Sequence, residues 1–148
     1  MKKTILTLLV LMLALVCVIS AASENEESYR FSFSINDQDK VEQAFTSSDV
    51  VTIALKPSDQ LILYIPANAT TGYQWVLKDD FEDKFVHLVS TDYVAPESEM
   101  MGAGGTSVWT FNANEEGVTT LAFEYIRPWE TDVEPEIVLL VQVHIKAK

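Results

Sequence analysis

Apolar residues recur at every second position over most of this chain, and that period limits what it can build. Leu121, Phe123 and Tyr125 alternate with Thr120, Ala122 and Glu124, and Val141, Val143 and Ile145 alternate with Gln142, His144 and Lys146. A period of two puts one set of side chains on each face of an extended strand, so each such stretch is a strand with a buried face. The same reading applies to residues 50–55, 60–65, 74–78, 85–94 and 106–111. Within residues 85–94, Phe85, His87, Val89 and Thr91 fall on one side, and Val86, Leu88 and Ser90 on the other. Turn formers such as Lys56-Pro57-Ser58-Asp59 separate the strands. About seven or eight short strands without an intervening long amphipathic helix predict an all-β sandwich or barrel, not a βαβ unit.

The N-terminal part reads differently. Lys2 and Lys3 precede an apolar run from Ile5 to Ile19, and Ser20-Ala21-Ala22 follows with small side chains. This is the pattern of a secretory signal peptide over residues 1–22, and the run is short for a membrane span of about 20 apolar residues. Cleavage leaves no stable membrane anchor. It also removes Cys17, the single cysteine, so the mature chain has no disulfide, thiolate metal site or cysteine nucleophile. The two lysines go with the leader, leaving eight basic against 22 acidic residues and a formal net charge of −14. Nucleic acid and anionic lipid both require positive surface, so neither is a partner. About 125 residues can hold themselves together by core packing alone.

Residues 23–49 form an N-terminal extension. Residues 23–28 are an acidic, polar leader; Phe31, Phe33 and Ile35 alternate with Ser32 and Ser34 and predict one added strand. Val41, Ala44 and Phe45 have the spacing of one or two helical turns within residues 36–48. Residues 50–148 then make up the main domain.

No stretch assembles a catalytic centre. His87 and His144 sit inside predicted strands, with neither a cysteine partner nor metal-ligand spacing. Composition leaves a Ser-His-acid triad open, but no nucleophile elbow is present. Glu115-Glu116 and Asp79-Asp80 read as solvated charge in turns. No cofactor or metal is implied.

Three loop stretches stand out instead. Asn68-Ala69-Thr70-Thr71-Gly72-Tyr73 joins two strands; Asn bonds back to local backbone, and Gly72 permits φ > 0. Met100-Met101-Gly102-Ala103-Gly104-Gly105 leads into a strand and not a helix, so it is no phosphate cradle, but bare glycines let another backbone approach closely. Tyr125-Ile126-Arg127-Pro128-Trp129 ends a strand. Pro128 stops pairing, and a Trp in a loop belongs to the surface, whereas Trp75 and Trp109 belong to the core. Arg and Trp are the types most enriched at binding hot spots.

Together the three stretches resemble the chagasin family of cysteine-protease inhibitors, whose marks are an Asn-Pro-Thr-Thr-Gly-aromatic loop, a Gly-x-Gly-Gly loop and an Arg-Pro-Trp loop in that order. The resemblance covers roughly residues 50–145. It implies an immunoglobulin-like β-sandwich with binding loops at one end, and reversible, non-covalent inhibition of papain-like cysteine proteases by a monomer. By that likeness Thr70, Thr71 and Gly72, flanked by Asn68 and Tyr73, lie against the catalytic cysteine and histidine. Gly102, Ala103, Gly104 and Gly105 line one wall of the cleft, and Arg127, Pro128 and Trp129 pack on the other. The expected location is outside the cell or along the secretory and endosomal–lysosomal route, or the periplasm of a bacterium. One departure matters: Ala69 stands where the family has proline, which loosens the loop and makes Asn68-Ala69-Thr70 an N-glycosylation sequon. The competing reading is an immunoglobulin-like adhesion or carbohydrate-binding module that uses Tyr73 and Trp129.

Overall fold

The computed structural model describes residues 26–97 and 103–147. Among the described residues nine strands form: β1 Tyr29–Ile35, β2 Val41–Phe45, β3 Val50–Leu55, β4 Gln60–Ala67, β5 Gln74–Leu77, β6 Val86–Val94, β7 Gly105–Ala113, β8 Gly117–Ile126 and β9 Ile137–Ile145. They make a five-stranded sheet ordered β2-β1-β4-β7-β6 and a four-stranded sheet ordered β3-β9-β8-β5. Pairing is antiparallel except between β3 and β9, which run parallel with Val51 beside Val141 and Ile53 beside Val143. The architecture is a β-sandwich, one of the two forms the alternation allows, and it is the immunoglobulin-like one that the family resemblance implies.

The alternation becomes the core. Leu61, Leu63 and Ile65 of β4 and Phe111 of β7 face Leu121 and Phe123 of β8 and Leu139, Val141 and Val143 of β9, all essentially buried. Rings close the gap between the sheets: Trp109 of β7 meets Phe123 of β8 edge-on at 5.2 Å, and Phe111 meets Phe123 at 6.4 Å. Each fully buried side chain of this kind contributes about 1.5–3 kcal/mol relative to exposure, which is how the fold stands without a disulfide.

Two local expectations change. Residues 36–48 carry no helical turn: Val41–Phe45 is β2, an edge strand on β1 with Tyr29 opposite Phe45. The spacing of Val41, Ala44 and Phe45 suits a helix, but five residues gain more from a complete ladder and from Phe45, which buries edge-on against Phe31 at 5.8 Å. The extension therefore supplies two strands where one is expected, and β1 lies inside the sheet against β4 and shares its core. In β6 the alternation breaks at a register shift between Leu88 and Ser90, which leaves Val89 outside. The expected leader, residues 1–22, lies outside the described residues.

Candidate functional site

β4 ends at Ala67, and the chain turns back to β5 through a single 3-10 turn, Ala69–Thr71. Asn68 caps it from an extended conformation, φ −122° and ψ 95°. Its Oδ1 accepts the Thr70 amide at 3.2 Å and the Thr70 hydroxyl at 2.7 Å. The Thr71 hydroxyl donates to the Asn68 carbonyl at 2.7 Å. Gly72 closes the turn at φ 80°, in the left-handed region, and donates its amide to the Ala69 carbonyl. The turn chemistry read from the sequence is therefore present, with Ala69, Thr70 and Thr71 exposed at the tip.

The Arg-Pro-Trp stretch follows β8 and reaches this turn. The Arg127 Nε donates to the Thr71 carbonyl at 3.3 Å, and the guanidinium lies 4.4 Å over the Tyr73 ring. Glu130 holds the same guanidinium from the other side at 3.1 Å, which lifts Arg127 above its usual pKa and keeps it cationic. Pro128 and Trp129 are exposed, and Trp129 shows 67 % of its surface. Its indole rests on Gly72: a Cβ there would lie 2.9 Å from the Trp129 Cζ2. Gly72 thus serves twice, once for its backbone angle and once as the seat of the indole.

The glycine stretch meets the first loop at its root, beside Ala67 and Asn68. Gly105 opens β7 and pairs with Ala67, the last residue of β4. A Cβ on Gly104 would sit 3.4 Å from the Ala67 carbonyl oxygen and 3.9 Å from the Asn68 Cβ. At Gly105 a Cβ would press into the Tyr93 ring, 2.6 Å from its Cζ. Gly102 lies outside the described residues. Gly104 and Trp129 therefore share one end of the sandwich with Thr71, Gly104 near Ala67 and Asn68 and Trp129 against Gly72. Beside them opens a cleft of about 540 Å³ with Gly72, Tyr73, Trp75, Trp109 and Trp129 among its walls.

One residue has no role at this site in the sequence reading. Tyr125, at the end of β8, stacks on Tyr73 with ring centroids 5.2 Å apart, packs on Trp75 at 4.9 Å, and accepts the Asn68 amide on its hydroxyl at 3.0 Å. Its place just before the Arg-Pro-Trp stretch is the only trace of this in the sequence. The histidines stay apart from the site: His87 bonds Asp83 at 2.9 Å and His144 bonds Gln142 at 2.7 Å. Among the described residues no group of three or more His, Cys, Asp or Glu can hold a metal ion.

Comparison with known proteins bears on the family and the fold. The model of the family described as "Chagasin family peptidase inhibitor I42" matches residues 54–143. Chagasin of Trypanosoma cruzi is 26% identical over 81 residues, covering 53% of this chain and 74% of its own. Among solved structures, the cysteine protease inhibitor EhICP2 from Entamoeba histolytica superposes with a TM-score of 0.56 at 23% identity, covering 66% of this chain and 86% of that one. Amebosin does so with a TM-score of 0.50 at 24% identity, covering 67% and 90%. These two likenesses speak for the fold. The family match spans more than half the sequence and favours inhibition over an enzyme or an adhesion module; the chain belongs to the chagasin family of peptidase inhibitors.

Proposed function

We propose that the three loops work as one wedge that enters the active-site groove of papain-like cysteine proteases and blocks it reversibly, without a covalent bond. The observation that carries this reading is the bond from Arg127 to Thr71, which joins two loops from different strands into one rigid rim. A rim ordered before binding avoids the cost of immobilising loops at the moment of association. Thr70, Thr71 and Gly72 meet the catalytic cysteine and histidine. Gly102, Ala103, Gly104 and Gly105 lie along one wall by backbone contact, and Arg127, Pro128 and Trp129 along the other. Asn68 and Tyr73 hold the tip in shape.

The tip also accounts for blockage without turnover. A protease cleaves a chain offered in extended form with its carbonyl aligned for attack. Residues 69–71 are instead curled into a 3-10 turn with the Asn68, Ala69 and Thr71 carbonyls already engaged as acceptors. A carbonyl out of attack geometry leaves the nucleophile occupied but idle.

Residues 1–22 direct export in this reading, and the protein meets its targets outside the cell or along the secretory and endosomal–lysosomal route. Asn68 stays unglycosylated, because a glycan at the wedge tip would bar entry to a groove; intact mass of the secreted protein before and after glycosidase treatment checks this. Titration of papain with the purified protein tests the proposal as a whole: a sharp, reversible loss of activity supports it, and full activity at micromolar protein rejects it.

A further inference from the structure

Tyr125 touches the first and third loops and borders the recess beside the second. Its hydroxyl accepts the amide of Asn68, where the first loop begins. Its ring backs Tyr73, where that loop ends, at 5.2 Å and an interplanar angle of 22°. Its carbonyl accepts the Glu136 amide at 3.0 Å, where the third loop returns to β9. Asn68, Gly104, Gly105 and Tyr125 line one small recess, so the phenol also stands where the second loop enters β7. Trp75 fixes the ring from below: the two are register partners across β5 and β8, with centroids 4.9 Å apart. The side chain thus crosses from one sheet to the end of a strand in the other.

We infer that Tyr125 is a positioning residue for inhibition: its hydroxyl holds the first loop at its root, so that the Thr70–Gly72 tip is ordered before a protease arrives. The inference rests on the wedge reading above and adds a residue that need not touch the protease. The hydroxyl is the informative atom. The ring contributes packing that any aromatic residue there would supply, whereas the bond to Asn68 sets where the turn starts. Ala69 makes that bond matter more. Proline at this position would lock φ near the value a 3-10 turn needs, and the extended Asn68 before it would tolerate the ring. Without that lock the chain relies on contacts at the root.

The test is Tyr125→Phe in the mature chain, with papain as the probe. The Asn68 amide should exchange with solvent at least about tenfold faster by NMR, inhibition of papain should weaken about five- to tenfold through slower association, and thermal stability should change little. Adding Ala69→Pro to Tyr125→Phe should restore most of the inhibition, because it stiffens the same root by another route. A purely structural tyrosine would instead lower the melting temperature and leave the rescue without effect. Unchanged Asn68 exchange together with unchanged inhibition overturns the inference. Should wild type fail to inhibit papain, the wedge reading falls, and Asn68 exchange in Tyr125→Phe still decides whether the hydroxyl orders the loop. Should Tyr125→Phe fail to fold, the wild-type Asn68 amide decides: protection is expected, and exchange at the rate of an unfolded chain contradicts the assignment.

Discussion

Arg127 and Thr71 lie 56 residues apart in the chain and 3.3 Å apart in space, Nε to carbonyl oxygen. The guanidinium suits this place because one planar group serves three partners. Its Nε reaches Thr71, its terminal nitrogen reaches Glu130, and its face covers Tyr73. A lysine ammonium is a point charge on a flexible stem and cannot hold the three together. Arg127→Lys should therefore weaken inhibition of papain by about tenfold, the loss of roughly one charged hydrogen bond. The unfolding midpoint should stay close to wild type, since lysine can keep the partly exposed ion pair with Glu130, and such surface pairs contribute little. Inhibition constants and thermal melts of the two proteins check both halves.

Gly72 and Trp129 depend on each other. Alanine at 72 is strained at φ 80°, and its Cβ would displace the indole that rests there. Gly72→Ala should cost about 1–2 kcal/mol in stability and weaken inhibition at least tenfold, because an exposed Trp is a hot-spot residue only where it is held in place. Gly104→Ala, whose Cβ would meet only an ordinary contact of 3.4 Å, provides the contrast and should fold almost unchanged. Comparing melting temperatures and tryptophan emission of the two variants separates lost seating from general damage.

What the sequence disclosed was mostly periodic. Strands β3, β4, β8 and β9 followed from alternation, and so did the division of the tryptophans, with Trp75 and Trp109 at 7 % and 8 % exposure and Trp129 outside. The short edge strand β2 was not legible, since Val41, Ala44 and Phe45 satisfy a helical spacing and only pairing with β1 selects the strand. The turn at residues 68–72 could be read because Asn and Gly act on their own neighbourhood. The convergence of the loops could not be derived that way and came only through the family resemblance. Tyr125 stayed hidden for the same reason: its bond to Asn68 spans 57 positions and exists only when the two sheets pack in this register.

The far end of the sandwich carries an acid-sensitive clasp. Asn36 donates its amide side chain to Asp59 Oδ1, and the Lys56 amide donates to Oδ2, both at 2.8 Å, which holds this carboxyl below its usual pKa of 3.8. A carboxyl depressed on folding stabilises the native state fully above the unfolded value and loses that contribution as pH falls through the folded one. Wild type should therefore lose stability steadily from about pH 4 downward, and Asp59→Asn should show a shallower decline over the same range. Asp59 precedes β4 whereas the wedge follows it, so inhibition at neutral pH should be equal in both proteins. Urea midpoints between pH 2.5 and 6 supply the comparison.

In the wedge proposal, residues 68–73, 102–105 and 127–129 together occupy a thiol protease's groove. Shielding of the papain active-site thiol from iodoacetamide reads that occupancy without reference to turnover. With saturating protein, alkylation should slow at least a hundredfold, the shielding should be lost when Trp129→Ala and Thr71→Arg are combined, and full papain activity should return once the complex is dissociated. Alkylation at the undiminished rate in the presence of bound protein would contradict it.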